Sequence, residues 1–312
     1  MTKLIATRDV YGETLAEIGA VNKNIVVLDA DLSSSTKTNI FAKKFPERFF
    51  NMGVSEADMM GTAAGLAAGG KIPFASTFAI FASGRAWEQI RQSIAYPKLN
   101  VKIVATHGGI TVGEDGASHQ AIEDIALMRA IPNMTVVVPC DGVETKSVIH
   151  EIIKYNGPVY VRVARGKFPV VMPEDYKFTL GKGSVVRDGK DAAIIANGLM
   201  VSHALEAAEM LAKEGLSIRV VNMSTIKPID RDIIIKAAKE TGAILTCEEH
   251  SIIGGLGEAV ATVAAEEYPV QVKRLGIQDR FGQSGLAEEL LVHYALMPKD
   301  IAEAVKEAVK KK

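Results

Sequence analysis

The sequence has little of the features that mark several specialised classes of protein. Its 312 residues include two cysteines, Cys140 and Cys247, which lie far apart and have no neighbours at metal-ligand spacing. We therefore expect two buried, reduced thiols. The formal net charge of -1 gives no basic surface for nucleic acid or an anionic membrane. No apolar run is long enough to span a bilayer, and the charged N-terminus is unlike a secretory signal, so we expect a cytoplasmic protein.

Phosphate-binding loops are also missing. The sequence has no Walker-type Gly-rich loop and no GxGxxG after its first strand. Each Asp-Gly pair follows Glu114, Cys140 or Arg187, so the triplet GDG does not occur. A cofactor with a diphosphate group therefore has no evident cradle in this chain.

The sequence is rich in short apolar runs that alternate with longer helical patterns. Near-continuous apolar runs with many β-branched residues predict buried strands at Ile25–Leu28, Ile72–Ala75, Val101–Ala105, Val136–Val138, Val159–Val163, Ala192–Ala196, Ile218–Val221, Ala243–Thr246 and Val270–Leu275. Helical patterns lie between them, at Tyr11–Ala20, Glu56–Ala68, Arg85–Ala95, Gln120–Arg129, Val143–Tyr155, Ser202–Lys213, Asp230–Lys239, Glu258–Glu266, Leu286–Tyr294 and Lys299–Lys310. This order predicts an α/β protein with parallel sheets covered by helices on both faces.

One stretch interrupts the alternation. Residues 166–190 contain Pro, Gly and charged residues without a sustained period. We predict a doubly wound domain at residues 1–168, a linker at 169–188 with room for a small hairpin, and a smaller, mostly parallel α/β domain at 189–312.

Glu56 begins one of the predicted helices and follows Gly53 and Ser55. On local sequence alone, a capped helix start is the simplest interpretation, because Ser is a good N-cap and acids favour the first turn. The same helix carries small residues, including Gly61 and Gly65, which would let it approach another backbone closely. A glutamate in such a dry contact is suited to sharing a proton with a heterocycle nitrogen. Both interpretations stay open at this point.

Other candidate residues follow predicted strands. Phe78 and Phe81 fit either core packing or a flat slot for a planar ring. His107 comes directly after Val101–Ala105, where active-site groups gather in parallel sheets. Asp115 and His119 lie in the Gly-rich loop that follows. A solvated turn and a helix cap are the alternatives for these two, but a loop shared with His107 favours a site.

Arginines near strand ends form a further group. Arg8, Arg162 and Arg165 fit either solvated surface charges or a site for a phosphate or carboxylate. His250 also follows a strand and is a weaker candidate.

At these residues the sequence resembles the C-terminal half of transketolase, over essentially the whole chain. The motifs that carry the resemblance are ATRD (6–9), DADLSSST (29–36), NMGVSEADMMGTAAGLA (51–67), STFAIF (76–81) and THGGITVGEDGASHQ (106–120). That family uses thiamine diphosphate to move a two-carbon ketol unit between sugar phosphates, as in pentose phosphate metabolism. The resemblance implies a pyrimidine-binding domain followed by a transketolase C-terminal domain.

The resemblance implies a cofactor role for several residues. Glu56 corresponds to the glutamate that bonds the N1′ nitrogen of the aminopyrimidine and so sets the position of its proton. Phe78 and Phe81 would pack around that ring, and Asp31 would make a further cofactor contact. Gly84 stands where many transketolases have a tyrosine, so this side of the slot is open or filled from elsewhere.

On the substrate side, the resemblance implies sugar-phosphate binding by Arg8, Ser35, His107 and Arg165. Asp115 would read the hydroxyl next to the acceptor aldehyde, and His119 would lie near the donor's first hydroxyl and carbonyl. Glu56, His107 and His119 are thus the predicted catalytic residues, with no metal site in this chain. The family has Asp-Ser where this chain has Gly108-Gly109, which leaves the hydrogen bonds after His107 open.

The resemblance also implies a partner. The family binds the diphosphate and its magnesium or calcium ion in an N-terminal domain, through a GDG motif followed by an Asn. We therefore predict a separately encoded N-terminal transketolase subunit, in an assembly with two copies of each chain.

Three alternatives remain. The β subunits of thiamine-dependent 2-oxo acid dehydrogenases and deoxyxylulose-phosphate synthase share parts of this plan, and a catalytically silent scaffold could keep the fold. The GEDG…HQ loop together with Arg8, Ser35 and Arg165 favours phosphorylated sugars. Glu56, His107, Asp115 and His119 occurring together argues against a silent scaffold.

Overall fold

Buried strands alternate with helices throughout residues 3–312, the part of the chain described by the computed structural model. The strands of the first half are β1 (Leu4–Ala6), β2 (Ile25–Asp29), β3 (Phe49–Asn51), β4 (Ile72–Ser76), β5 (Lys102–Ala105), β6 (Thr135–Val137), β7 (Val159–Arg162) and β8 (Lys167–Pro169). Its helices are α1 (Thr7–Val21), α2 (Ser33–Thr36), α3 (Asn39–Lys44), α4 (Glu56–Ala68), α5 (Ala79–Arg85), α6 (Trp87–Gln89), α7 (Asp124–Ala130) and α8 (Gly142–Ile152). Short 3₁₀ turns lie at Pro46–Arg48 and Ile110–Val112, and a π-helical segment lies at Ile90–Ala95.

The second half continues the same alternation. Its strands are β9 (Ser184–Arg187), β10 (Ala192–Ala196), β11 (Ile218–Asn222), β12 (Thr225–Lys227), β13 (Ala243–Ser251) and β14 (Gln271–Ile277). Its helices are α9 (Met200–Lys213), α10 (Arg231–Thr241), α11 (Leu256–Glu267), α12 (Ala287–His293) and α13 (Pro298–Lys310).

Two mostly parallel sheets form the framework, which confirms the predicted doubly wound α/β fold. A seven-stranded sheet has the order β12-β6-β7-β5-β4-β2-β3, and only β12 is antiparallel to its neighbour. A five-stranded sheet has the order β14-β13-β10-β11-β9, with β9 antiparallel. Strand β12 comes from the second half but pairs with β6 of the first, so backbone hydrogen bonds join the two halves.

The central strands are buried on both faces, which accounts for their apolar sequences. Every residue of β2 and of β10 is buried. Burying one Leu or Ile side chain contributes roughly 1.5–3 kcal/mol, so these strands anchor the two cores.

Cys140 and Cys247 are buried and free, as predicted. Within residues 3–312, no helix combines the length and apolarity needed to cross a membrane.

Several predicted helix limits differ from the structure, and two of these differences have a visible cause. The helix expected from Gln120 begins at Asp124, because Ala121 pairs with Gly108 and accepts a hydrogen bond from the Gly109 N–H at 2.8 Å. The helix expected over Arg85–Ala95 is broken, since α5 ends at Arg85 and α6 and the π segment follow. The hydroxyl of Ser83 donates to the Ala79 carbonyl at 2.7 Å, a contact that tends to bend helices.

The hairpin considered for the linker is wrong. Strand β8 pairs with β1, and β9 pairs with β11, so the two strands of this stretch bind different parts of the chain. The domain limits at residues 168 and 189 remain our proposal.

Candidate active site

The carboxyl ends of three adjacent strands bring several predicted residues to one edge of the seven-stranded sheet. Phe78 follows β4, His107 follows β5 and Arg165 follows β7, and these strands pair in the order β4-β5-β7. In parallel sheets, ligand sites lie at this edge. The topology therefore assembles residues that are far apart in sequence.

Four aromatic side chains form a continuous row, which we call the aromatic row: Phe78, Phe81, His107 and His119. The rings of Phe78 and His107 stack with their centroids 3.7 Å apart, and those of Phe78 and Phe81 lie 5.8 Å apart at 14°. His119 meets the Phe81 ring edge-on at 5.2 Å. Its Nδ1 lies 2.9 Å from the Ser118 hydroxyl, and α7 begins further along the chain, so His119 is not a helix cap.

Glu56 lies beside this row at the start of α4 and is only 5% exposed. In the described chain, the side chain of Ser55 makes no capping hydrogen bond to α4. Instead, Arg85 Nη1 donates to Glu56 Oε1 at 3.0 Å, and its guanidinium lies 4.2 Å from the centroid of Phe81. A Cβ at Gly84 would meet nothing within 4 Å, so this position is open, as predicted.

His107 is held in one tautomer by its neighbours. Arg8 Nη1 lies 3.2 Å from His107 Nε2, and a guanidinium can only donate, so Nε2 accepts. The proton therefore sits on Nδ1, which donates to the Thr106 hydroxyl at 2.8 Å. Burial, and then the positive charges of Arg8 and Arg165, lower the pKa of His107 to about 3. The ring is consequently neutral at physiological pH.

A polar cleft of about 350 Å³ lies beside Arg8, the partner of His107. Three cations, Arg8, Arg165 and Lys167, line it together with two acids, Asp9 and Glu114, and we call it the cationic cleft for this excess of positive charge. Arg8 Nη1 also donates to the backbone carbonyl of Ser35 at 3.2 Å, so Ser35 contacts the site through its backbone. Lys167 was not among the predicted residues because it lies in the aperiodic stretch of residues 166–190. The three cations of the cleft outnumber its two acids, so the cleft suits a phosphate or another anion.

Asp115 and Asp31 are placed differently. Asp115 Oδ2 lies 3.9 Å from Arg165 Nη1, on the same side as the cleft, and Glu114 approaches the same nitrogen at 3.4 Å. Asp31 is exposed and accepts a hydrogen bond from Asn51 at 2.9 Å instead. The structure thus joins Asp115 to the predicted substrate residues and places Asp31 in a separate pair.

Close packing accounts for the two glycines after His107. A Cβ at Gly108 would lie 2.2 Å from Arg162 Nε, and one at Gly109, where φ is +86°, would lie 2.2 Å from Glu249 Oε1. Larger residues would therefore clash with a side chain from each half of the protein.

Arg162 and His250 are structural rather than substrate-facing. Arg162 is 5% exposed, and its Nε lies 3.1 Å from the buried carboxylate of Asp124. His250 is buried, and its Nε2 accepts a hydrogen bond from the Ala126 N–H at 3.3 Å. Neither alternative considered for Arg162, a surface charge or a substrate contact, describes its environment.

A larger apolar groove of about 480 Å³ lies elsewhere, between α7 and the segment Asp279–Phe281. Its walls include Ile122, Leu127 and Ile253, and none of the predicted site residues lines it. The chemistry therefore points to the smaller cleft. Within the described residues, no group of three or more His, Cys, Asp or Glu side chains is placed to hold a metal ion.

Two family models match the chain. The model for the transketolase pyrimidine binding domain matches residues 3–170, and the model for the transketolase C-terminal domain matches residues 181–301.

Individual relatives agree with these matches. A Methanocaldococcus jannaschii protein, named provisionally as a transketolase C-terminal section, is 57% identical over 96% of this chain and 95% of its own length. A 6-deoxy-6-sulfo-D-fructose transketolase subunit from a Clostridium strain is 42% identical over 98% of this chain and 95% of its own. The chain spans about half the length of the human transketolase that it also matches.

A solved structure described as a split-gene transketolase, an inactive β4 tetramer, has 55% identity and a TM-score of 0.92. The superposition covers 98% of this chain and 99% of that one.

Proposed function

Since the chain belongs to the transketolase family, we propose that it is the C-terminal subunit of a split transketolase. In this proposal it moves a two-carbon ketol unit between sugar phosphates with the help of thiamine diphosphate. The observation that carries the proposal is the convergence of Glu56, the aromatic row and the cationic cleft at one edge of the sheet.

In this proposal Glu56 and Phe81 would hold the aminopyrimidine ring of the cofactor. The guanidinium of Arg85 lies 4.2 Å from the centroid of Phe81 and donates to Glu56, and a flat ring that bears a protonated nitrogen could make the same two contacts in its place. When bound, the cofactor supplies carbanion chemistry that amino-acid side chains lack. Glu56 would hold the proton at the ring nitrogen, while Phe78 and Phe81 would keep water from the ring faces.

The substrate would extend from this slot towards the cationic cleft. His107 stacks on Phe78 at one end and accepts from Arg8 at the other, so it connects the two regions. Its Nδ1 stays bonded to Thr106, so as a neutral imidazole it would accept a hydrogen bond from a sugar hydroxyl at Nε2 once Arg8 turns to the substrate's phosphate. Arg8, Arg165 and Lys167 would bind the terminal phosphate, and Asp115 and His119 would orient the hydroxyls nearest the reacting carbons.

The proposal includes a second polypeptide that binds the diphosphate and its magnesium or calcium ion. Gly61 and Gly65 on α4 are exposed, and a Cβ at either would meet nothing within 4 Å, so this face is free for close contact. The solved relative named as an inactive tetramer of β chains supports the idea that such a chain needs its partner for activity. We propose two copies of each chain in the active assembly.

The assay should also compare substrates that carry different anionic groups. One relative is named for 6-deoxy-6-sulfo-D-fructose, in which a sulfonate takes the place of a phosphate. A cationic cleft accepts either anion, so xylulose 5-phosphate and the sulfonated ketose should be compared as donors.

Glu56→Gln tests the cofactor side of the proposal. With the partner chain, thiamine diphosphate and magnesium present, we expect ketol transfer to fall by at least about 100-fold, because the amide cannot hold the proton at the ring nitrogen. Asp58→Asn, an exposed acid in the same helical turn, is the matched control and should keep wild-type activity. Wild-type turnover by Glu56→Gln would contradict the assigned role.

A further inference from the structure

We infer that Gln120 is a positioning residue through which the C-terminal half holds the loop that carries Asp115 and His119. Residues 113–119 are here called the substrate loop, and residues 279–286 the clamp segment. The role of the substrate loop rests on the proposed function, but the contact between the two segments does not.

The side-chain amide of Gln120 ties three backbone carbonyls together. Gln120 is 2% exposed, and its Nε2 lies 3.2 Å from the Ile110 oxygen, 3.1 Å from the Gly113 oxygen and 2.9 Å from the Gln283 oxygen. With two hydrogens for three acceptors, the amide bonds Gln283 of the clamp segment, Gly113 at the start of the substrate loop and Ile110 just before it, and two of the three carbonyls share one hydrogen. One side chain therefore connects this loop to the clamp segment.

Glycines on both sides allow the close approach. A Cβ at Gly116 of the substrate loop would lie 2.5 Å from the Ser284 hydroxyl oxygen. A Cβ at Gly282 of the clamp segment would lie 1.8 Å from Gln120 Oε1. Both distances are shorter than real Cβ contacts, so a side chain at either glycine would force Ser284 or Gln120 to move.

The clamp segment is itself fixed to the C-terminal half. The Tyr294 hydroxyl donates to the Phe281 carbonyl at 2.8 Å, and Arg280 Nη2 donates to the His293 carbonyl at 3.2 Å. A second tie runs from the Thr111 N–H to Glu249 Oε1 on β13, at 2.7 Å. Through Gln120 the clamp segment thus holds the substrate loop, and β13 holds Thr111, two residues before the loop begins.

The N–H groups of the Gln120 side chain explain why an amide occupies this position although its oxygen has no partner. Among the described residues, its Oε1 is buried and has no hydrogen-bond partner. An unpaired buried acceptor destabilises a fold, and an apolar side chain of similar size would avoid that cost. An amide at this position therefore fits a requirement for its N–H groups, which hold the loop.

The test compares Gln120→Met with Gln283→Met. Both exchange an amide for a thioether, but Gln283 is exposed and contributes only its backbone carbonyl to the clamp. In the full-length chain, we expect amide hydrogen exchange across residues 113–119 to become at least about ten-fold faster in Gln120→Met and to stay at the wild-type rate in Gln283→Met. In the assembly with the partner chain, Gln120→Met should raise the KM for the aldose acceptor about ten-fold with kcat changed less than about three-fold.

Unchanged exchange in Gln120→Met, or equal acceleration in both variants, would overturn the inference. If Gln120→Met does not fold cooperatively, Gly282→Ala pushes on the same contact from the clamp side. It should also accelerate exchange in the substrate loop, and wild-type protection there would overturn the inference as well. Should the wild-type assembly show no ketol transfer, the proposed function fails, while the exchange comparison still decides the role of Gln120.

Discussion

At the residue scale, Glu56 is a buried carboxylate whose partner, Arg85, is about half exposed. Arg85→Met would leave the carboxylate buried without a charged partner. We expect the isolated chain to lose about 1–2 kcal/mol of unfolding free energy, and about 1 kcal/mol of this to vanish in the Glu56→Gln background. Urea unfolding of the four variants of this double-mutant cycle measures the coupling. In the parallel cycle with Asp58→Asn, the two effects should add, and additivity in the Glu56 cycle would show that the pair is not coupled.

His107 gives a pH prediction at the same scale. Its pKa is about 3 in the folded chain and 6.5 when exposed, so only the unfolded chain binds a proton between these values. Its contribution to stability is present above pH 6.5 and is lost as the pH falls towards 3. Between pH 7 and pH 5 we expect His107→Asn to lose about 2 kcal/mol less stability than the wild type. A His107 variant that loses as much stability as the wild type over this range would contradict the effect of burial on the pKa of His107.

Some of these residues were predictable and others were not. Phe78, His107 and Arg165 each follow a recognisable apolar strand, so their meeting at one sheet edge follows from the topology. Arg85 meets Glu56 across 29 residues of sequence from the end of α5, whereas the pattern predicted that a helix starts at Arg85. A contact of that kind depends on tertiary geometry, which local periodicity does not contain.

At the scale of elements, α4 presents an exposed face of small residues. Gly61→Ala should stabilise the isolated chain by about 0.5–1 kcal/mol, because Ala favours a helix and its Cβ meets nothing within 4 Å. If this face meets another subunit closely, the same methyl group should weaken assembly with the partner chain. Urea unfolding and sedimentation velocity measure the two effects.

Thr62→Ala serves as the control, because successive residues point about 100° apart around a helix. It should leave assembly unchanged. Assembly of Gly61→Ala at wild-type affinity would place the subunit contact elsewhere.

The limits of α4 and α7 show where hydrophobic periodicity predicts the start and end of a helix and where it fails. Helix α4 begins and ends where its pattern predicted, at Glu56 and Ala68, since nothing else competes for its backbone. Helix α7 begins at Asp124 because Ala121 is engaged by Gly108 and Gly109. The hydrogen bond from Gly109 to Ala121 joins two different loops, so the amphipathic pattern of the helix does not predict it.

At the scale of the whole molecule, a buried ionic cluster joins the two halves. Arg162 bonds Asp124 within the first half and donates to the Glu249 carbonyl of the second at 2.9 Å. Arg162→Met would leave the buried carboxylate of Asp124 without a charged partner, with only the Tyr160 hydroxyl donating to it at 2.7 Å. We therefore expect a loss of about 3–5 kcal/mol in urea unfolding. Arg231→Met removes a more exposed pair with Glu266 and Glu267 and should cost less than about 1 kcal/mol. Equal losses in the two variants would remove the special role of the cluster.

The two-sheet architecture was predictable at this scale, and the way the halves interlock was not. Alternating apolar runs and helices fix a doubly wound fold wherever the strands are buried on both faces. The antiparallel pairing of β12 with β6 and of β8 with β1 involves short strands of three residues each. A run of three residues is too short for its hydrophobic pattern to predict which strand it pairs with.

Our central proposal is that this chain supplies one half of an active site, and reconstitution with the other half tests it most directly. The candidate N-terminal chain would be titrated into a fixed amount of this one, with thiamine diphosphate, magnesium, a ketose phosphate donor and an aldose phosphate acceptor. We expect little ketol transfer by either chain alone. The rate of ketol transfer should rise as the second chain is added and should saturate at equal amounts of the two. Activity that does not exceed the sum of the separate chains at any ratio would contradict it.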